Sequence, residues 1–103
     1  MSDVNILAEE KPKSITLADG KDYELPALNL TTLANIEKTM GFGLAKLQSK
    51  MIDETASTLR LVIYALLKER NPKLELEEAG RLITFDTMKN ISEVLSKILA
   101  ISI

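Results

Sequence analysis

Residues 53–70 read DETASTLRLVIYALLKER, and this stretch decides the fold. Its apolar residues recur at helical spacing, which predicts a helix from near Asp53 to Arg70. Further apolar residues widen the stripe until the helix is expected to be buried on most sides, at the centre of the domain. Asn71-Pro72 follows and ends it. The stripe and the residues that widen it are Leu59, Val62, Ile63, Leu66 and Leu67, then Leu61 and Ala65.

Two shorter helices are predicted before this central one. The first carries Leu33, Ile36 and Met40 on one face, is capped by Asn29 or Thr31, and stops at Gly41. After Gly41-Phe42-Gly43 comes a second short stripe. It consists of Leu44, Leu47 and Met51.

Two more helices are predicted after the central one. A short helix runs from about Glu75 to Ile83 and contains Gly80. Glycine inside a helix costs about 1 kcal/mol relative to alanine, so either packing requires a bare backbone there or the helix is weak. The last helix is expected to begin at Asp86 as its cap. Its apolar face contains Met88, Ile91, Leu95 and Ile98.

The segment before the helices predicts a β-hairpin, because apolar residues alternate on both sides of Asp19-Gly20. A two-residue loop would put the apolar residues of the two strands on opposite faces. A three-residue loop, Ala18-Asp19-Gly20, sets Ile15 opposite Tyr23 and gathers the apolar residues on one face. We therefore favour the three-residue loop.

These elements predict a mostly α (α+β) fold, in which an N-terminal β-hairpin precedes a compact bundle of four to five helices. A chain of 103 residues holds one domain. We expect a flexible N-terminal arm over residues 1–13 and a single domain over 14–103, with the hairpin at 14–25 and the bundle at 29–103.

The composition excludes several function classes. The chain has no cysteine and no histidine, which removes disulfide frameworks, zinc fingers and Ser-His-Asp triads. A net charge of -2 argues against a nucleic-acid partner. The longest apolar run, residues 61–67, is far below the ~18 residues of a membrane span. The N-terminus lacks the basic start of a signal peptide, so we expect a cytoplasmic protein with no membrane partner.

The remaining polar patterns favour structure over chemistry. Two acidic clusters, Asp53-Glu54 and Glu75 with Glu77 and Glu78, fall at predicted helix starts, where acids favour the dipole. Neither has the ligand spacing of a calcium loop. Gly41-Phe42-Gly43 lacks the remaining residues of a phosphate loop and is interpreted as a turn. We therefore expect no enzyme, no catalytic residue, no metal and no cofactor.

The C-terminus carries an apolar stripe to the last residue. Its members, the candidate partner-binding residues, are Ile98, Leu99, Ile101 and Ile103. Chain ends in solvent are normally polar, so this end either docks on its own domain or is covered by a partner. Three methionines, Met40, Met51 and Met88, are interpreted as core residues on apolar stripes rather than as an adaptable binding surface.

The order of these segments resembles the tail assembly chaperones of long-tailed bacteriophages and prophages. The hairpin Ile15-Thr16-Leu17-Ala18-Asp19-Gly20-Lys21-Asp22-Tyr23-Glu24-Leu25 precedes a helix that stops at Gly41, as in that family. The long hydrophobic helix, the Asn-Pro stop and the segment from Leu76 to Ile83 also fit. The resemblance covers about residues 14–100.

The resemblance implies a non-enzymatic protein of the host cytoplasm that is absent from the mature virion. Such proteins coat the long helical tape-measure protein and help recruit tail-tube subunits. The implied partners are therefore the tape-measure protein and the tail-tube protein. The alternative is a small bacterial helical adaptor or regulatory dimerisation module, which would self-associate through the C-terminal stripe.

Overall fold

The computed structural model of the protein describes residues 13–101. Within this range, a two-stranded antiparallel hairpin is followed by five α-helices, the mostly helical α+β fold that the sequence predicts. The strands are β1 (Lys13–Thr16) and β2 (Asp22–Leu25). The helices are α1 (Leu30–Met40), α2 (Leu47–Asp53), α3 (Thr55–Lys68), α4 (Leu76–Leu82) and α5 (Phe85–Ile101), with a 3-10 turn (Leu44–Lys46) before α2.

The hairpin has the register that a three-residue loop requires. Ile15 lies opposite Tyr23, and the N–H of Gly20 donates to the carbonyl of Leu17 at 2.9 Å. Gly20 has a φ of 79°, in the left-handed region that favours glycine. Ile15, Leu17 and Leu25 are buried and Tyr23 is half-buried, so the predicted apolar face is confirmed.

Each outer edge of the hairpin is held by an asparagine side chain from the helical part. Asn90 of α5 donates to the carbonyl of Thr16 at 3.1 Å, and Asn71 donates to the carbonyl of Glu24 at 3.1 Å. Asn71 also donates to the carbonyl of Leu67 at 2.7 Å, where α3 ends. These bonds join each strand to the helical part and occupy one carbonyl on each edge, where an open strand is a template for other chains.

The sequence offers Asn29 or Thr31 as the N-cap of α1, and the structure identifies which of them caps the helix. The Asn29 side chain accepts from the N–H of Thr32 at 2.9 Å, so Asn29 rather than Thr31 is the cap. Gly41 ends the helix with a φ of 90°. The turn that follows brings the N–H of Leu44 to 2.8 Å from Glu37 Oε2.

Helix α3 lies at the centre of the fold, as predicted. No side chain from Leu61 to Glu69 is fully exposed. Helices α1, α2 and α4 all pack against α3, while α5 packs against β1 and the 3-10 turn. The core is therefore arranged around one helix, because only α3 is apolar on most of its circumference.

The start of α5 differs from the prediction. The helix begins at Phe85, and the N–H of Thr84 donates to Thr87 Oγ1 at 2.8 Å. Asp86 therefore lies in the first turn and is not the cap, although its carboxylate still favours the helix dipole there.

Strand β1 begins one residue before the predicted hairpin. Lys13, which the sequence assigns to the arm, is the first residue of β1 and lies opposite Leu25. The rest of the predicted arm, residues 1–12, lies outside the described residues.

Candidate protein-binding groove

The acidic clusters lie at helix ends. Glu75 caps α4, and Glu78 completes a reciprocal capping box with it. Glu54 directly precedes α3, whereas Asp53 is the last residue of α2 and not at a helix start as predicted. Within residues 13–101, no group of three or more acidic, cysteine or histidine side chains could hold a metal ion.

An open groove of about 900 Å³ lies between the first half of α3, α4 and the start of α5. Phe85, at the first position of α5, is 98% exposed at this groove. A large apolar side chain gains about 1.5–3 kcal/mol when it is buried, and this gain is unused in the free protein. The apolar lining consists of Leu59, Ile63, Ile83, Phe85 and Met88.

The lining of the groove also contains three charged residues. Arg81 approaches Glu77 at 3.5 Å, and both side chains are 78% exposed. Arg60 also lines the groove, but within residues 13–101 it has no acidic partner. The groove therefore combines an apolar floor with one uncompensated positive charge, on a chain whose net charge is -2.

The absence of a side chain at Gly80 allows Arg60 to lie against α4 at the groove. A Cβ atom at position 80 would lie 2.6 Å from Arg60 Cδ and 3.3 Å from Arg60 Cγ. The hydrocarbon stem of Arg60 thus packs directly over the bare backbone of α4. Of the two explanations that the sequence allows for a mid-helix glycine, close packing is the one observed.

The predicted partner-binding residues at the C-terminus lie in different environments. Ile98 is completely buried and belongs to the core, Leu99 is half-buried against it, and Ile101 is 50% exposed. Ile103 lies outside the described residues. The end of α5 therefore packs on its own domain through Ile98 and Leu99, and Ile101 presents an exposed apolar side chain.

The methionines pack on the apolar stripes that the sequence predicts for them, and one of them also lines the groove. Met40 is buried, and Met51 is half-buried against the core. Met88 is half-buried as well, but it also lines the groove.

The hairpin loop holds a polar pair away from the groove. The Tyr23 hydroxyl donates to Asp19 Oδ2 at 2.6 Å. This hydrogen bond raises the pKa of Tyr23 to about 12 and lowers the pKa of Asp19. The pair links the loop residue Asp19 to β2.

Within residues 13–101, no helix has both the length and the apolar composition needed to cross a membrane. Comparisons of the chain with protein-family models, curated proteins and solved structures give no match.

Sequence reasoning missed the groove because its residues come from three separate helices. Periodicity assigns Leu59 to the core stripe, against which it packs while also lining the groove, and it gives no signal for Phe85 or Arg60. One local signal points to the site: Ile83-Thr84-Phe85 puts two large apolar residues at a helix break, where polar residues are usual.

Proposed function

We propose that the protein is a tail assembly chaperone of a phage or prophage. In this role it binds the tape-measure protein and helps recruit tail-tube subunits in the host cytoplasm. The proposal is supported by the order of the sequence segments, from the hairpin through the long helix to the segment at 76–83. The observation that carries it is the open apolar groove with Phe85 in full contact with solvent.

In the proposed mechanism, the protein binds reversibly to apolar stripes on partner helices and shields them from water. A tape-measure protein is long and helical, and its apolar stripes aggregate unless they are covered until the tube is built. A groove walled by helices accepts such a stripe, whose side chains bury Phe85 and its neighbours. In this mechanism the cover is released when tail-tube subunits bind.

Co-expression tests this proposal directly. A tape-measure protein from the same genome should be recovered in the soluble fraction when it is made together with this chain, and should precipitate when it is made alone. If the soluble fraction is the same with and without this chain, the proposal fails.

A matched pair of variants locates the effect on the surface. Phe85→Ser removes an exposed apolar side chain in the groove and should reduce the rescue. Leu30→Ser removes one that is 83% exposed on α1 and does not line the groove, so it should leave the rescue unchanged. Equal loss in both variants would contradict a role for the groove.

A second candidate, a helical dimerisation module, is favoured by one observation. Ile101 is 50% exposed near the end of an apolar stripe. Such a module would form a stable homodimer, and Ile101→Ser, which leaves the buried Ile98 in place, would weaken it. A concentration-independent monomer in light scattering would exclude this function.

A further inference from the structure

The walls of the groove favour a helical occupant over an extended one. Most of its side chains come from α3, α4 and α5, whose interior backbone groups are bonded within the helices, and Ile83 and Thr84 of the lining lie on the connection between α4 and α5. At the connection between α4 and α5, the N–H of Thr84 donates to Thr87 Oγ1 and the carbonyl of Thr84 accepts from the N–H of Met88 at 2.9 Å. An extended peptide would bury its own backbone groups here without partners, whereas a helix satisfies them internally.

The charge of the groove favours an acidic flank on that helix. Arg60 lines the groove with no acidic partner among residues 13–101, and Arg81 has only the exposed Glu77 at 3.5 Å. Covering Arg60 with an apolar surface would take its charge out of water without compensation. A carboxylate beside the stripe supplies that compensation, and guanidinium groups bind carboxylates with strong, oriented hydrogen bonds.

We propose that the groove selects amphipathic helices that carry a glutamate or aspartate beside their apolar stripe, and that Arg60 is the specificity-determining residue. The inference rests on the premise of the proposed function that the groove binds a partner protein, and it adds the charge that the partner must carry. Gly80 contributes to this arrangement, because the absence of a Cβ lets the stem of Arg60 lie against α4, where Arg60 lines the groove.

Two synthetic peptides test the selection without the natural partner. Each has about 18 residues, or five helical turns, with the same leucine stripe. One has glutamates along both sides of the stripe and the other has lysines. Fluorescence anisotropy of the labelled peptides should give a dissociation constant about fivefold lower for the glutamate peptide at low ionic strength, and this ratio should shrink as salt is added.

Charge variants assign the selection to one residue. Arg60→Glu should reverse the preference, and Arg60→Lys should keep it. Lys38→Glu changes the net charge by the same amount on an exposed part of α1 that does not line the groove, so it should keep the preference. If Arg60→Glu does not fold, Arg60→Gln, which keeps part of the stem, should bring the two affinities close to equality.

Phe85→Ser tests whether the peptides bind in the groove. It should weaken both peptides by a similar factor and leave the melting temperature unchanged, since Phe85 has almost no contacts to lose.

Three results would overturn the inference: no binding of either peptide, equal binding of both, or the same change in Lys38→Glu as in Arg60→Glu. These results are separable from failure of the proposed function. If the peptides discriminate but the tape-measure protein is not rescued, the groove binds acidic helices of another partner. If the rescue succeeds without discrimination, the tape-measure protein binds without the help of Arg60.

Discussion

The hairpin and the groove are both surfaces on which another protein could dock, but they differ in how far their apolar side chains and polar groups are already covered. The hairpin buries its apolar face and has a carbonyl on each edge bonded to an asparagine side chain, Asn71 or Asn90. The groove leaves Phe85 in solvent and Arg60 without an acidic partner in residues 13–101. One backbone carbonyl on each hairpin edge is occupied, whereas the side-chain surface of the groove is open to solvent, and this contrast favours helical partners over added strands.

The largest expected effect contrasts one apolar residue from each region. Leu25 of β2 is 5% exposed and Phe85 is 98% exposed. We expect Leu25→Ala to lower the free energy of unfolding by about 2–4 kcal/mol, because a cavity remains in the core. Phe85→Ala should change it by less than about 0.5 kcal/mol, as for other exposed positions. Urea denaturation measures both changes, and similar losses of unfolding free energy in the two variants would contradict the prediction.

The second prediction concerns the protection of the hairpin. Asn71→Ala removes hydrogen bonds to the carbonyls of Glu24 and Leu67. Because Asn71 is half-buried, we expect a loss of about 1–3 kcal/mol in the free energy of unfolding. Asn90→Ala removes a single bond from an exposed side chain and should cost about 0.5 kcal/mol. A larger cost for Asn90→Ala would contradict this order.

The third prediction concerns the groove. Alanine is favoured over glycine in a helix by about 1 kcal/mol, but a Cβ at Gly80 would meet the stem of Arg60. We therefore expect Gly80→Ala to stabilise an Arg60→Ala background by about 1 kcal/mol and the wild-type protein by less. A double-mutant cycle by thermal denaturation measures the coupling. Equal gains in both backgrounds would show that Arg60 does not pack on this backbone.

The smallest effect is a pH dependence of the hairpin loop. The pKa of Tyr23 is raised to about 12 by its hydrogen bond to Asp19, so the stability from this bond is complete below the ordinary tyrosine pKa of about 10 and is lost as the pH rises through 12. The pKa of Asp19 is lowered, so its contribution is present above its ordinary value and is lost as the pH falls.

Phenolate absorbance checks this titration. The chain has two tyrosines, and in a Tyr64→Phe background the signal reports Tyr23 alone. Asp19→Asn should lower the observed pKa of Tyr23 toward 10. An unchanged titration midpoint in that variant would remove the hydrogen bond as the cause.

The parts that sequence predicts well are those set by local chemistry. Gly20 requires a positive φ, and this fixes the loop length and the strand register. Gly41 marks the end of α1 for an equally local reason, whereas the sequence leaves the start open between Asn29 and Thr31, since both residue types cap helices. Periodicity also identifies the buried face of α3, because 3.6-residue spacing maps directly onto one side of a helix.

The groove could not be predicted in this way. Its lining depends on how α3, α4 and α5 sit in space, and no spacing within one helix encodes that Arg60 lies over Gly80. The C-terminal stripe shows the same limit. Periodicity puts Ile98 and Ile101 near each other on α5, but only the packing of α5 on β1 and the 3-10 turn makes one buried and the other half exposed.

The asparagine contacts have a consequence for synthesis on the ribosome. The hairpin emerges early, but Asn71 lies 47 residues after Glu24 and Asn90 lies 74 residues after Thr16. At about 5–20 residues per second, the interval from Thr16 to Asn90 takes about 4–15 s. At first the nascent hairpin has neither hydrogen bond. The bond to Glu24 of β2 requires Asn71, which follows α3. The bond to Thr16 of β1 requires Asn90, which lies in α5. A chain stalled before residue 90 therefore carries an open β1 edge, even where its central helix has formed.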